Sequence, residues 1–154
     1  MKYLRTETLG NEVLVLYPVD NNTANQEAIE NNLLHEAKYL HNKERLIPGL
    51  QKMYKAATGV DFPQCVLEAT ATVDMGAYID ADIADKFAYN EAIRPIVFSH
   101  GLTAMGTFYI GLMRDLASQG YLVLALNHQD ESCTFTTNSK GEELFYKKAP
   151  FYTK

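Results

Sequence analysis

Residues 94–127 read RPIVFSHGLTAMGTFYIGLMRDLASQGYLVLALN, and this stretch predicts the fold. Residues 95–98 and residues 121–126 are apolar runs of the kind found in strands. Neither run alternates apolar with polar residues, so both are predicted to be buried on two faces, as strands of a parallel sheet are. A crossover helix between them would complete a βαβ unit with a right-handed connection.

The helix between the two strands is predicted from apolar residues that recur at helical intervals: Tyr109, Leu112, Met113 and Leu116. Gly120 stands where a glycine commonly ends a helix. The first strand runs directly into a glycine turn, SHGL at residues 99–102. Open α/β sheets bind ligands at this carboxyl end of their strands, so the turn is the first candidate for a functional site.

Length and composition restrict the class of protein. A chain of 154 residues can form one modest domain or part of a larger one. Its 47% hydrophobic and 21% charged residues are ordinary for a soluble globular protein. The net charge is -5 and there is no basic cluster, so a nucleic-acid partner is not expected. The apolar run near the N-terminus is too short for a signal peptide or a membrane span, which favours a cytoplasmic location.

The sequence indicates neither a metal nor a cofactor. Cys65 and Cys133 lie far apart without a CxxC context, and are predicted to be free thiols in a reducing compartment. Cys133 would be a nucleophile only beside a base, and a plain thiol is favoured. The spacing of His100, His128 and Asp130 matches no common metal site, so a turn with local hydrogen bonds is favoured there.

The N-terminal part is predicted to contain strands at residues 3–9 and 13–17. Thr23 and Gln26 resemble a capping box. It would begin a helix with one apolar face: Ile29, Leu33, Ala37 and Leu40. A second helix is predicted from Pro48 to Gly59. The apolar stripe at residues 47–54 is predicted to pack into the core, with contact to a membrane surface as the alternative.

The remaining segments carry weaker patterns. Residues 66–67 and 70–73 are predicted to be a strand, and the acidic residues 79–85 a loop under the sheet. Residues 133–137 are prone to form a strand, and residues 138–141 read NSKG, a turn signal. Residues 142–148 are predicted to begin a helix that ends before Pro150.

Several segments, in order, resemble the platelet-activating factor acetylhydrolase family, α/β-hydrolase serine esterases of the lipoprotein-associated phospholipase A2 type. They are LVLYP at residues 14–18, GLQK at 49–52, FSHGL at 98–102, DLASQGY at 115–121 and HQDES at 128–132. FSHGL together with DLAS is the most specific part of the resemblance. It implies that residues 1–154 are the N-terminal part of a single α/β-hydrolase domain, with a mostly parallel sheet and flanking helices.

The resemblance also implies an activity, the hydrolysis of acyl esters of phospholipids. The partners it implies are a phospholipid or short-acyl ester substrate and a lipid surface. In this family the turn after the strand supplies an oxyanion donor, here the backbone N–H of Leu102. Gly101 would permit the close approach, and His100 would support the loop.

The chain departs from the family pattern at several positions. Thr103 stands where the family has glycine, and Gln129 and Glu131 stand where arginines are usual. None of the four serines lies in a G-x-S-x-G motif: Ser99, Ser118, Ser132 and Ser139. The nucleophilic serine and the Asp and His of the triad are therefore expected beyond Lys154, and this chain alone is expected to be inactive.

Without that further protein, one edge of the strand at residues 95–98 would have no partner. We therefore expect a C-terminal part, or a second chain, to complete the sheet. A catalytically inactive, hydrolase-like structural or accessory subunit is the alternative function. Another α/β-hydrolase branch, such as a dienelactone-hydrolase-like or cutinase-like esterase, is also compatible with the glycine turn.

Overall fold

The computed structural model describes residues 2–5, 12–20, 22–31, 33–38, 43–87 and 92–148. Its strands are β1 (Lys2–Arg5), β2 (Glu12–Leu16), β3 (Glu36–Lys38), β4 (Asp74–Tyr78), β5 (Arg94–Ser99), β6 (Tyr121–Leu126), β7 (Phe135–Thr137) and β8 (Glu143–Phe145). Its helices are α1 (Thr23–Glu30), α2 (Lys43–Thr58), α3 (Gln64–Ala71) and α4 (Ile110–Ser118), with a 3₁₀ turn at Gly106–Tyr109 before α4. No helix in this part of the chain is both long enough and apolar enough to cross a membrane.

The central sheet has four strands in the order β1-β2-β6-β5. β5 and β6 pair in parallel, with Arg94 opposite Tyr121 and Ser99 opposite Leu126. This pair and α4 confirm the predicted βαβ unit. The sheet is not mostly parallel, because β2 is antiparallel to both β1 and β6. Residues 6–11 alone connect β1 to β2, and a parallel pair would need a connection of about a dozen residues or more.

α4 covers one face of this sheet. Its buried residues pack with apolar residues of β2 and β6: Ile110, Met113 and Ala117 against Leu14, Leu16, Val123 and Ala125. Gly120 follows α4 with φ +96, as a glycine that ends a helix does. Leu112 was predicted on the buried face and is 54% exposed. It lies about 100° around the helix axis from Met113, outside the buried stripe.

β5 is less buried than its sequence predicts. Val97 is 67% exposed, because no described element covers that face of the strand. Among the described strands β5 lies at the sheet edge, with β6 on one side only. In β6 the two faces also differ, since Val123 and Ala125 are buried and their neighbours are half-buried.

A second apolar cluster joins α2, α3 and β7. Its buried residues are Leu46, Ala71, Met105, Cys133 and Phe135. Ile47 and Leu50 of α2 pack against it, so the stripe on this helix belongs to the core as predicted. α2 begins at Lys43 and not at Pro48, with Glu44 in its first turn, where the helix dipole favours an acidic residue. Gly59 follows the helix with φ +80, as predicted.

Three other predictions are wrong in part or in whole. The helix predicted to begin at Thr23 is present as α1, but it is capped by Asn22, whose side chain accepts from Asn25 N–H at 2.9 Å, and it ends at Glu30. Asn31 closes it by bonding to Glu27 O through its backbone and side chain. Leu33 is therefore 73% exposed and Ala37 lies in β3. Leu40 and most of the strand predicted at residues 3–9 lie outside the described residues.

The segment predicted as a strand at residues 66–73 is mostly the helix α3. Leu67 and Ala71, four residues apart, are its buried residues, which is helical spacing. The helix predicted at residues 142–148 is instead β8. Asn138 forms the turn before it, because its side chain accepts from the N–H groups of Lys140 and Glu142 at 3.0 Å. That turn pairs β8 antiparallel with β7, as the turn signal at residues 138–141 implies.

Candidate functional site

Two loops meet at the carboxyl ends of β5 and β6. The turn at residues 99–104 follows β5, and the loop at residues 127–132 follows β6. Because Ser99 and Leu126 are register partners in a parallel pair, both loops leave the sheet at the same edge. The structure therefore brings together His100, Gly101 and Leu102 with His128 and Asp130, which are 28 or more positions further along the chain than His100.

His100 links the two loops. Its side chain is buried, 5% exposed, and its Nε2 accepts from the backbone N–H of His128 at 3.1 Å. Nδ1 lies 2.9 Å from the carbonyl of Gly101. Since a carbonyl only accepts, Nδ1 carries the proton and the ring is neutral. Burial lowers the pKa of His100, against the smaller opposing effect of the bond to Gly101.

The backbone N–H of Leu102 has no hydrogen-bond partner among the described residues. The N–H groups around it are engaged. Gly101 N–H donates to Tyr109 Oη at 3.4 Å, and Thr103 N–H donates to Ser132 O at 2.9 Å. Ala104 N–H closes the turn on Gly101 O at 3.0 Å. Leu102 itself is 55% exposed. Its amide is a donor, within a turn held by hydrogen bonds, that no described residue uses.

The turn is tied to the segment that precedes β7. Thr134 N–H donates to Ala104 O at 3.1 Å, and the Thr134 hydroxyl donates to Thr103 O. Thr103 takes φ +66, the left-handed region that glycine adopts without steric cost. A Cβ at Gly101 would lie 3.2 Å from Tyr109 Oη, a tight contact with the atom that accepts the Gly101 N–H.

The loop after β6 contributes a second set of side chains. His128 Nε2 lies 2.8 Å from Ser99 Oγ, and His128 Nδ1 lies 3.3 Å from Ser132 Oγ. The His128 and His100 rings stack with centroids 3.9 Å apart and planes inclined by 31°. Asp130 accepts from Ser132 N–H at 3.0 Å. The Ser99–His128 pair was missed from the sequence, where the two are 29 positions apart. Ser99 directly follows one of the two strands predicted to be parallel neighbours, and His128 is the second residue after the other.

His100 and His128 are both engaged in hydrogen bonds that hold the two loops. Both nitrogens of His100 and both nitrogens of His128 have protein partners. The described residues contain no group of three or more His, Cys, Asp or Glu placed to hold a metal ion. The local hydrogen bonds predicted for residues 128–132 are present.

Cys133 lies beside these loops and is a plain thiol. Its side chain is 1% exposed, and burial raises the pKa of the thiol to about 12. Its Sγ donates to Phe135 O at 3.2 Å. A thiol that stays protonated at neutral pH is a poor nucleophile, in agreement with the prediction from the sequence. Cys65 is a free thiol and is exposed.

Residues 8–148 match the family described as platelet-activating factor acetylhydrolase, isoform II. Both loops of the site lie inside the matched range.

Relatives named platelet-activating factor acetylhydrolase share local similarity with this chain. That of Gallus gallus is 45% identical over 53 aligned positions, covering 30% of this chain and 13% of the relative. That of Canis lupus familiaris is 51% identical over 47 positions, covering 30% of this chain and 11% of the relative. That of Bos taurus is 49% identical over 47 positions, again covering 30% and 11%. The matched segments thus span only about a tenth of these relatives' length.

Proposed function

The chain belongs to the platelet-activating factor acetylhydrolase family, and on that premise we propose that the protein hydrolyses carboxylic esters of phospholipids, with a preference for short acyl groups. In this proposal residues 1–154 are the N-terminal part of one α/β-hydrolase domain. They supply the turn that holds the oxyanion of the reaction. The substrate class is taken from the family and from the names of the relatives.

The observation that carries the proposal is the unengaged N–H of Leu102. Attack on an ester carbonyl places negative charge on its oxygen, and a preorganised N–H at that position stabilises the transition state. Leu102 offers such a donor on an exposed turn, while the neighbouring amides of Gly101 and Thr103 are engaged within the protein. His100 holds the turn by bonds to both loops, so the donor is oriented before substrate binds.

The nucleophile and its base are proposed to lie on protein beyond residues 1–154. No serine of this chain lies in the G-x-S-x-G motif that places the nucleophile in α/β-hydrolases. We propose that a further strand pairs with the edge of β5 and brings that serine next to the turn of Leu102. The exposed face of Val97 would then be covered by the elements that follow.

Hydrolysis of defined phospholipids by the natural protein tests this function. A phosphatidylcholine with an acetyl group at sn-2 should be hydrolysed faster than one with a palmitoyl group at sn-2, and a chelator should leave the rate unchanged. Intact mass measured on the same sample identifies the species that acts. Absence of ester hydrolysis by a folded natural protein of about the 17.3 kDa of this chain would contradict the proposal and favour the accessory subunit.

A further inference from the structure

Ser99 and His128 have the geometry of a nucleophile and its general base. Ser99 ends β5 and is exposed, and its Oγ lies 2.8 Å from His128 Nε2. Activated hydroxyl nucleophiles lie about 2.6–3.2 Å from their base, and a third group orients that base. Ser132 Oγ, 3.3 Å from His128 Nδ1, occupies the place of the third group.

The tautomer of His128 decides where the protons of this group lie. Asp130 accepts from the N–H of Ser132 at 3.0 Å, and its contacts with Ser132 lower the pKa of its carboxyl. With the ring proton on Nδ1, His128 donates to Ser132 Oγ and its Nε2 has a free lone pair. Ser99 then donates to Nε2, which is the orientation that general-base activation requires, and the proposal uses this tautomer.

The base is also held in place by the neighbouring histidine. The His128 ring stacks on His100 at 3.9 Å, and the backbone N–H of His128 donates to His100 Nε2. The carboxylate of Asp130 accepts the backbone N–H of Ser132, whose hydroxyl contacts His128 Nδ1.

We propose that Ser99 is an acyl-accepting nucleophile activated by His128, and that small activated esters and fluorophosphonates modify it. Its oxygen would attack the carbonyl carbon of an activated ester while the hydroxyl proton moves to His128 Nε2. Collapse of the tetrahedral intermediate breaks the bond to the alcohol, which leaves with the proton from Nε2, and acyl-Ser99 remains. With a fluorophosphonate the Ser99 oxygen displaces fluoride from phosphorus, and the proton is lost with the fluoride. This reactivity is separate from the oxyanion role proposed for Leu102.

A fluorophosphonate probe applied to the folded natural protein tests the proposal. The tryptic peptide that ends at Arg114 contains Ser99 as its one serine, so mass spectrometry can assign the product. We expect labelling of Ser99 to be slower by at least about tenfold in His128→Gln, because glutamine cannot take the proton. Ser99→Ala should remove the label from this peptide. Ser118→Ala is the matched control, since the Ser118 hydroxyl donates to Asp115 O and has no histidine partner, and it should label at the wild-type rate.

A second comparison does not depend on the folding of the His128 variant. Wild-type Ser99 should react at least about tenfold faster in the folded chain than in concentrated urea, because only the folded chain holds the base beside it. Equal rates in the folded and unfolded chains, or no label on Ser99, would overturn the proposal. Either result would leave the role of the Leu102 amide untouched, since neither Ser99 nor His128 supplies that donor.

Discussion

At the scale of single residues, His100 shows how a buried histidine can be required in one protonation state. Its Nε2 accepts from His128 N–H while its Nδ1 donates to Gly101 O. A second proton on Nε2 would face a backbone N–H, so two donors would meet and the bond between the loops would be lost. The neutral ring is therefore part of the structure of the turn.

This arrangement predicts a dependence of stability on pH. Burial lowers the pKa of His100 in the folded chain below its ordinary value of 6.5. Between the folded-state pKa and 6.5, the unfolded chain therefore binds more protons than the folded one. The contribution of His100 to the free energy of unfolding is complete above about pH 6.5 and decreases as the pH falls below it. Urea unfolding of wild type and His100→Asn at several pH values measures this. The free energy of unfolding should fall more steeply toward acid pH in wild type than in the variant. Equal slopes would contradict the prediction.

Thr103 is expected to be strained. A left-handed conformation costs a non-glycine residue roughly 1–2 kcal/mol, against about 0.5–1 kcal/mol that glycine loses in chain entropy. With φ +66 at Thr103, Thr103→Gly should raise the free energy of unfolding by up to about 1 kcal/mol. Thr72→Gly is the control, since Thr72 has φ -90 and its hydroxyl donates to Ala69 O, and it should destabilise. A loss of stability in Thr103→Gly would count against strain.

Some residues of the candidate site could be predicted from the sequence and others could not. The SHGL turn could be found because its residues are contiguous and follow an apolar strand. The Ser99–His128 pair could not, because it depends on the register of β5 against β6 and on side-chain orientation. The hydrogen bonds of Ser132 and Thr134 to residues 103–104 also could not be predicted, because no local sequence pattern relates these two distant segments.

At the scale of secondary structure, strong local patterns succeeded and weak ones failed. β5 and β6 are apolar runs and were predicted to within one residue at each end, and α4 was predicted from its helical spacing and the glycine that follows it. α3 was mistaken for a strand because Val66 and Val73 favour strands by composition, although the residues that the fold buries are four apart. β8 was mistaken for a helix because its pairing with β7 outweighs local propensity.

The packing of α2 against β7 gives a prediction with a matched pair of glycines. A Cβ at Gly49 would lie 2.9 Å from Phe135 Cβ, too close for an undisturbed contact, whereas a Cβ at Gly111 would meet nothing within 4 Å. Gly49→Ala should therefore destabilise by about 1–3 kcal/mol. Gly111→Ala, in the exposed first turn of α4, should stabilise by up to about 1 kcal/mol because alanine favours helices. Thermal unfolding measures both, and equal effects would show that α2 does not pack closely on β7.

At the scale of the whole molecule, the candidate site lies where two loops leave one end of the sheet. β5, whose turn carries Leu102, is an edge strand of the described sheet, and one face of it is exposed at Val97. The α/β class could be predicted from composition and pattern, and so could the end of the sheet that carries the site. The antiparallel placement of β2 could not, because strand order depends on contacts distant in sequence.

The central claim is that the N–H of Leu102 stabilises an oxyanion, and kcat of the natural protein for Leu102→Pro relative to Leu102→Ala tests it most directly. Proline removes the N–H, whereas alanine keeps it and removes only the side chain. If Leu102 supplies one oxyanion donor, kcat should fall by about 10²–10³ in the proline variant and change little in the alanine variant. Replacing the same amide by an ester bond makes the comparison without proline's constraint on the backbone. Equal kcat values for folded proline, ester and alanine variants would contradict the claim.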